Sequence, residues 1–169
     1  KALLGDTVAR VGSLRSAVDQ RAFRLEYQPV VALAPPPGSG KPPVHHCEAL
    51  SRFAEGESVS GTVAFAEAVG MVCDLDFAVS ERVIALLRQS PDKRLAVAVN
   101  ISGRSLESGI FAASLLDLLN GHAALAANLL FEITESAAVT RFDEVLATKD
   151  GEHPFWMHWK DPYLARPRR

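Results

Sequence analysis

His46-Cys47-Glu48-Ala49-Leu50-Ser51-Arg52-Phe53 places a carboxylate, an apolar side chain and a guanidinium at alternate positions, 48, 50 and 52. In an extended strand alternate side chains share a face, so Glu48, Leu50 and Arg52 point into the same space. A carboxylate able to hold a hard metal beside an arginine able to hold a phosphate suggests phosphodiester chemistry. The adjacent His45 and His46 alternate across the strand, so at most one of them joins that face.

On either side of this strand, apolar runs alternate with helical patterns. Arg24 to Leu33 is rich in β-formers, although Pro29 argues against a central, hydrogen-bonded position. A Pro/Gly-rich loop, Ala34 to Pro43, joins it to the strand Val44 to Phe53. Thr62 precedes a short helix, Val63 to Val69, with Gly70 as its C-cap. Leu75, Val79, Val83, Leu86 and Leu87 form one stripe of a helix over Asp74 to Gln89, ended by Ser90-Pro91. Arg94 to Ile101 and Leu129 to Ile133 read as buried strands, Ile110 to Leu119 and Phe142 to Leu146 as helices. Before all of these, Val8, Val11, Leu14 and Val18 recur at helical spacing after Asp6 and Thr7, either of which can cap the helix. Strands alternating with helices indicate an α/β fold with largely parallel pairing.

The bulk properties narrow the function. The 169 residues suit one domain, or part of one, and carry a formal net charge of −2, which gives no sign of a nucleic-acid partner. Cys47 and Cys73 lack metal-type spacing and read as free thiols of a cytoplasmic protein. No segment is apolar over a bilayer-spanning length. His153 to Arg169, with both tryptophans, shows neither periodicity and reads as an unstructured tail, or else as a docking segment anchored by Trp156 and Trp159.

Three strands carry a polar group near the C-terminal end of an apolar run: Glu48, Asn100 and Glu132. In a parallel α/β barrel that rim is where catalytic groups converge. Two carboxylates and an amide oxygen suit Mg²⁺ or Mn²⁺. Singly, each has a plainer explanation. Glu48 is then a solvated rim residue, Asn100 starts a turn, Glu132 and Glu135 favour a helix N-terminus, and Arg52 pairs with Glu55.

Together the motifs resemble the EAL domain family. Tyr27-Gln28-Pro29-Val30-Val31 is similar to its opening strand and Cys47-Glu48-Ala49-Leu50-Ser51-Arg52-Phe53 to its signature strand. Phe65-Ala66-Glu67-Ala68-Val69-Gly70-Met71, Val99-Asn100-Ile101-Ser102 and Phe131-Glu132-Ile133-Thr134-Glu135-Ser136 resemble the next three motifs in order. The resemblance implies a modified (β/α)₈ barrel that hydrolyses cyclic di-GMP to the linear dinucleotide with two divalent metals, Mg²⁺ or Mn²⁺. It implies that Glu48, Asn100 and Glu132 are metal ligands and catalytic positions. By the same likeness Arg52 holds a substrate phosphate, Gln28 and Leu50 contact the nucleotide, and Glu135 supports the site.

The family's paired aspartate motif is missing: the chain contains no Asp-Asp, and the likeness stops after Phe142. A (β/α)₈ barrel takes ~250 residues, so the expectation is a partial barrel of about four strands with intervening helices. Residues 1–20 form an upstream helix or linker, 21–148 the N-terminal part of the EAL domain, and 149–169 a divergent tail. A barrel cut short implies weak or lost cyclic di-GMP binding and little or no turnover by this chain alone. A degenerate module binding cyclic di-GMP or a protein, and a non-functional remnant, are the alternatives. An upstream sensory or diguanylate-cyclase domain and a homodimer are the partners that fit; neither nucleic acid nor membrane is.

Overall fold

The computed structural model describes residues 2–33, 40, 42–53, 59–134 and 156–159. Helix α1, Ala2–Asp19, leads into strand β1, Arg24–Val31, and then β2, Val44–Arg52. Helices α2, Val59–Ala68, and α3, Val72–Gln89, precede β3, Val97–Ser102. Two further helices, α4, Gly103–Glu107, and α5, Gly109–Asn120, and a 3₁₀ turn, Ala123–Asn128, lead to β4, Leu129–Thr134. The last described element is β5, Trp156–Trp159.

One sheet holds the strands in the order β1-β2-β3-β4-β5. Strands β1 and β2 run antiparallel; β2, β3, β4 and β5 are mutually parallel. Pro29 accordingly lies on an edge strand, where a missing N–H costs no second ladder.

One face of the sheet builds the core. Val97, Val99 and Ile101 of β3 and Leu129, Phe131 and Ile133 of β4 are buried with Leu75, Val79, Val83 and Ile84 of α3. That apolar row at every second position fixes which side faces the helices. The intervening residues, Asn100 and Glu132 among them, therefore occupy the opposite face. A one-residue slip of β3 would drive Asn100 into the core, so the burial of three apolar neighbours holds the polar face in place.

Several elements differ from the sequence expectation for identifiable reasons. Helix α1 begins at Ala2, ahead of the anticipated Asp6 or Thr7 cap, and Val8 is exposed while Leu14 and Val18 are buried. Helix α2 begins at Val59, so Thr62 does not precede it but lies inside it, buried. Strand β3 starts at Val97 and not at Arg94, because a turn at Asp92 takes the backbone N–H groups of Arg94 and Leu95. Gly70 does close α2: its φ of 73° lies in the left-handed region, and the Met71 N–H donates back to the Ala66 carbonyl at 2.8 Å.

The expectation of an unstructured tail fails at Trp156–Trp159. These four residues pair with β4 in the register Leu130↔Trp156 to Ile133↔Trp159 and make a fifth strand. The segment is too short to show periodicity, and the open edge of β4 supplies its order. The Phe142–Leu146 helix and Glu135 lie outside the described residues.

Candidate functional site

The three parallel strands β2, β3 and β4 carry Glu48, Asn100 and Glu132 on the polar face. Glu48 is in register with Ala98, and Asn100 with Glu132. The Asn100 Nδ2 group donates to Glu48 Oε1 at 2.7 Å. Glu132 is buried, and its Oε1 lies 3.6 Å from His46 Nε2 on β2. The face thus holds two polar pairs, Asn100–Glu48 and His46–Glu132. Ala98 is the small residue of β3 on this face, leaving room for the second pair to meet across that strand. Among the described residues no three His, Cys, Asp or Glu side chains are already drawn into one coordination cluster. The donors present are carboxylate and amide oxygens and one imidazole nitrogen, a set that divalent cations accept.

Arg52 occupies the same face of β2, beyond Leu50. Its Nε donates to Glu26 Oε2 on β1 at 2.8 Å, so its partner comes from the neighbouring strand. Glu55, the partner expected on sequence grounds, lies outside the described residues. Gln28 stands opposite Glu48 in the β1–β2 ladder and is exposed. Gln28, Glu48, Leu50 and Arg52 therefore share one surface with Asn100 and Glu132.

Behind the C-terminal end of β3 lies a buried support that the motifs did not announce. Asp76 Oδ2 on α3 accepts from the Ser102 N–H at 2.8 Å and from Ser105 Oγ at 2.7 Å. Ser102 Oγ also donates to Glu67 Oε1 on α2 at 2.7 Å and accepts from the Arg104 N–H, capping α4. Burial pushes the Asp76 carboxyl up to about 7; the bonds from Ser105 and Ser102 pull the other way, and Glu67 adds to the rise. Asp76 follows Leu75 and precedes Val79 by three residues, so it lies on the apolar stripe of α3. A carboxylate on such a stripe is the signal that marks it in the sequence.

The bulge at His45 escaped the sequence reading as well. The β1–β2 register passes from Val30↔His46 to Val31↔Val44, leaving His45 without an opposite residue. At this extra residue His45 Nδ1 meets His46 Nδ1 at 2.8 Å, while His45 itself stays exposed. Regular alternation would have sent the two rings to opposite faces.

An open sheet with four parallel strands, helices packed on one side and carboxylates and an amide on the other defines part of a (β/α) barrel with a polar strand-end site. The EAL domain model matches residues 11–152, and the chain belongs to the EAL domain family. Among solved structures it resembles the Xanthomonas citri FimX EAL domain in complex with c-diGMP, at 25% identity and a TM-score of 0.67 over 86% of this chain and 56% of that one. It also resembles the c-di-GMP complex of the PaMucR phosphodiesterase, at 26% identity and a TM-score of 0.59 over 80% of this chain and 56% of that one. The Vibrio cholerae LapD S helix-GGDEF-EAL structure shares the fold at 23% identity and a TM-score of 0.64, over 79% of this chain and 32% of that one. The chain thus spans little more than half the length of the Xanthomonas citri FimX and PaMucR structures. No curated protein matches it. Among the described residues no helix is long and apolar enough to cross a membrane.

Proposed function

We propose that this chain carries one face of a cyclic di-GMP phosphodiesterase site, with Glu48, Asn100 and Glu132 holding Mg²⁺ or Mn²⁺. The observation that carries this reading is the placement of these three residues on one face of adjacent parallel strands, with Arg52 beside them. A bound divalent cation supplies positive charge for the phosphodiester and lowers the pKa of attacking water. The chain's own residues do the rest. Asn100 holds Glu48 through its amide and keeps the carboxylate turned toward β3. Arg52, anchored through Nε to Glu26 and through Nη1 to the Ser51 carbonyl, has its Nη2 group to turn to a phosphate oxygen. Gln28 and Leu50 border the same surface and contact the nucleotide; Glu135 keeps the supporting role that the family likeness gives it.

The family supports this reading, as do the c-di-GMP complexes among the structural relatives. The 169 residues include no Asp-Asp pair, so the reading gives this chain by itself weak or lost cyclic di-GMP binding and little or no turnover. The reading places the protein in the cytoplasm, in keeping with its free Cys47 and Cys73. It also joins α1 to an upstream sensory or diguanylate-cyclase domain and allows homodimers through the exposed Tyr27, Val30 and Val31 of β1.

Calorimetry with Mn²⁺ and cyclic di-GMP, alongside chromatography of the product, tests the reading. Glu48→Ala and Arg52→Ala should each weaken metal-dependent nucleotide binding by roughly tenfold or more. Nucleotide binding indifferent to both substitutions would overturn it.

A further inference from the structure

We propose that His46 is a nitrogen ligand of the bound cation, paired with Glu132 and oriented by His45, and that it tilts this site from Mg²⁺ toward Mn²⁺, Co²⁺ and similar borderline metals. The inference rests on the metal-binding reading above and adds a donor to it.

Three observations carry it. His46 is 8% exposed, and its Nε2 makes no hydrogen bond among the described residues. That atom points at Glu132 Oε1 from 3.6 Å, too far for a hydrogen bond. Two donors each ~2.1 Å from one cation stand roughly 3.0–3.6 Å apart as their angle opens from about 90° to 120°. A purely structural imidazole would give its buried Nε2 a hydrogen-bond partner, since leaving that atom without one costs free energy.

The third observation is the bulge. It brings His45 Nδ1 to 2.8 Å from His46 Nδ1, and one of these nitrogens must donate to the other. When His46 Nδ1–H donates, its Nε2 presents a lone pair toward Glu132. That is the arrangement of a metal-bound histidine, whose second nitrogen is held by an outer partner. An imidazole beside carboxylates suits Mn²⁺, Co²⁺ or Zn²⁺, whereas Mg²⁺ prefers oxygen. The cation keeps its remaining positions for Asn100, Glu48, water or a phosphate oxygen.

The test is calorimetric titration of the full chain with Co²⁺ and, separately, Mg²⁺, with the visible spectrum of bound Co²⁺ as a second readout. His46→Ala should weaken Co²⁺ by about tenfold or more while changing Mg²⁺ by less than about threefold, with a shift in the Co²⁺ spectrum on loss of the nitrogen. His46→Gln, close in size, should reproduce the loss and decides the matter if the alanine variant does not fold. His45→Phe should weaken Co²⁺ by about tenfold through the lost orienting bond. His122→Ala, whose ring caps the end of α5 through the Leu118 carbonyl, should change neither metal. Unchanged Co²⁺ affinity and spectrum in both His46 variants, with Glu132→Gln still abolishing binding of both ions, would overturn the nitrogen ligand and leave the metal site standing. Wild-type binding of neither ion, or binding indifferent to Glu132→Gln, would overturn both.

Discussion

Arg52 enters the site with one side of its guanidinium committed. Nε reaches Glu26 on the next strand, Nη1 reaches the Ser51 carbonyl at 3.4 Å, and the Arg52 and Glu26 side chains both retain solvent contact. An exposed pair of this kind adds little stability, a median of about 0–1 kcal/mol. Its use is geometric: the planar fork can hold Glu26 on one side and a phosphate oxygen on the other. An ammonium has the charge without the fork. Arg52→Lys should therefore leave thermal stability within about 0.5 kcal/mol while weakening cyclic di-GMP binding by roughly tenfold. Equilibrium dialysis at fixed Mn²⁺ measures this, and an affinity within threefold of wild type would show that only the charge is used.

At the scale of elements, α3 is both a wall of the core and a brace for the site. Its Asp76 carboxylate fixes the Ser102 N–H and the Ser105 hydroxyl, two residues and five residues beyond Asn100. The unfolded carboxyl titrates near ~3.9, while the folded one titrates at about 7. The folded state therefore holds a proton that the unfolded state has released between those values. The stability this group contributes is complete below about pH 4 and is lost as pH rises through about 7. Asp76→Asn removes that dependence. Relative to wild type, the variant should gain on the order of 1–3 kcal/mol between pH 5 and pH 8. Urea unfolding at the two pH values gives the difference directly; a difference that does not change with pH would count against the assignment. The placement of Glu48, Asn100 and Glu132 on one face of adjacent strands was legible in the sequence because each interrupts or ends an apolar strand run. Asp76 was legible only as an anomaly, since its partners lie 26 and 29 residues away. The bulge at His45 was not legible, because a register slip belongs to two strands and not to one. Strand β5 was hidden for the same reason: four residues acquire a strand identity only from the edge they join.

At the scale of the whole molecule, the proposed donors Glu48, Asn100 and Glu132 sit on three strands that are neighbours in the sheet and far apart along the chain. Glu48 and Asn100 are separated by 52 residues and meet only when β2 and β3 pair. An unfolded chain cannot hold these groups together, so a cation that uses them binds the folded state alone. Stability must then rise with cation concentration, by about 2.7 kcal/mol at a hundredfold excess over Kd. For a chain of this size that corresponds to a rise in Tm of roughly 5–10 °C. Mn²⁺ should produce this shift in wild type, and Glu132→Gln should abolish it even though its own metal-free Tm differs. The comparison within each variant, with and without Mn²⁺, separates the loss of the site from any loss of packing. A wild-type Tm that stays constant while calorimetry records Mn²⁺ binding would place the cation on groups that the unfolded chain presents equally well, and the three-strand site would fall with that result.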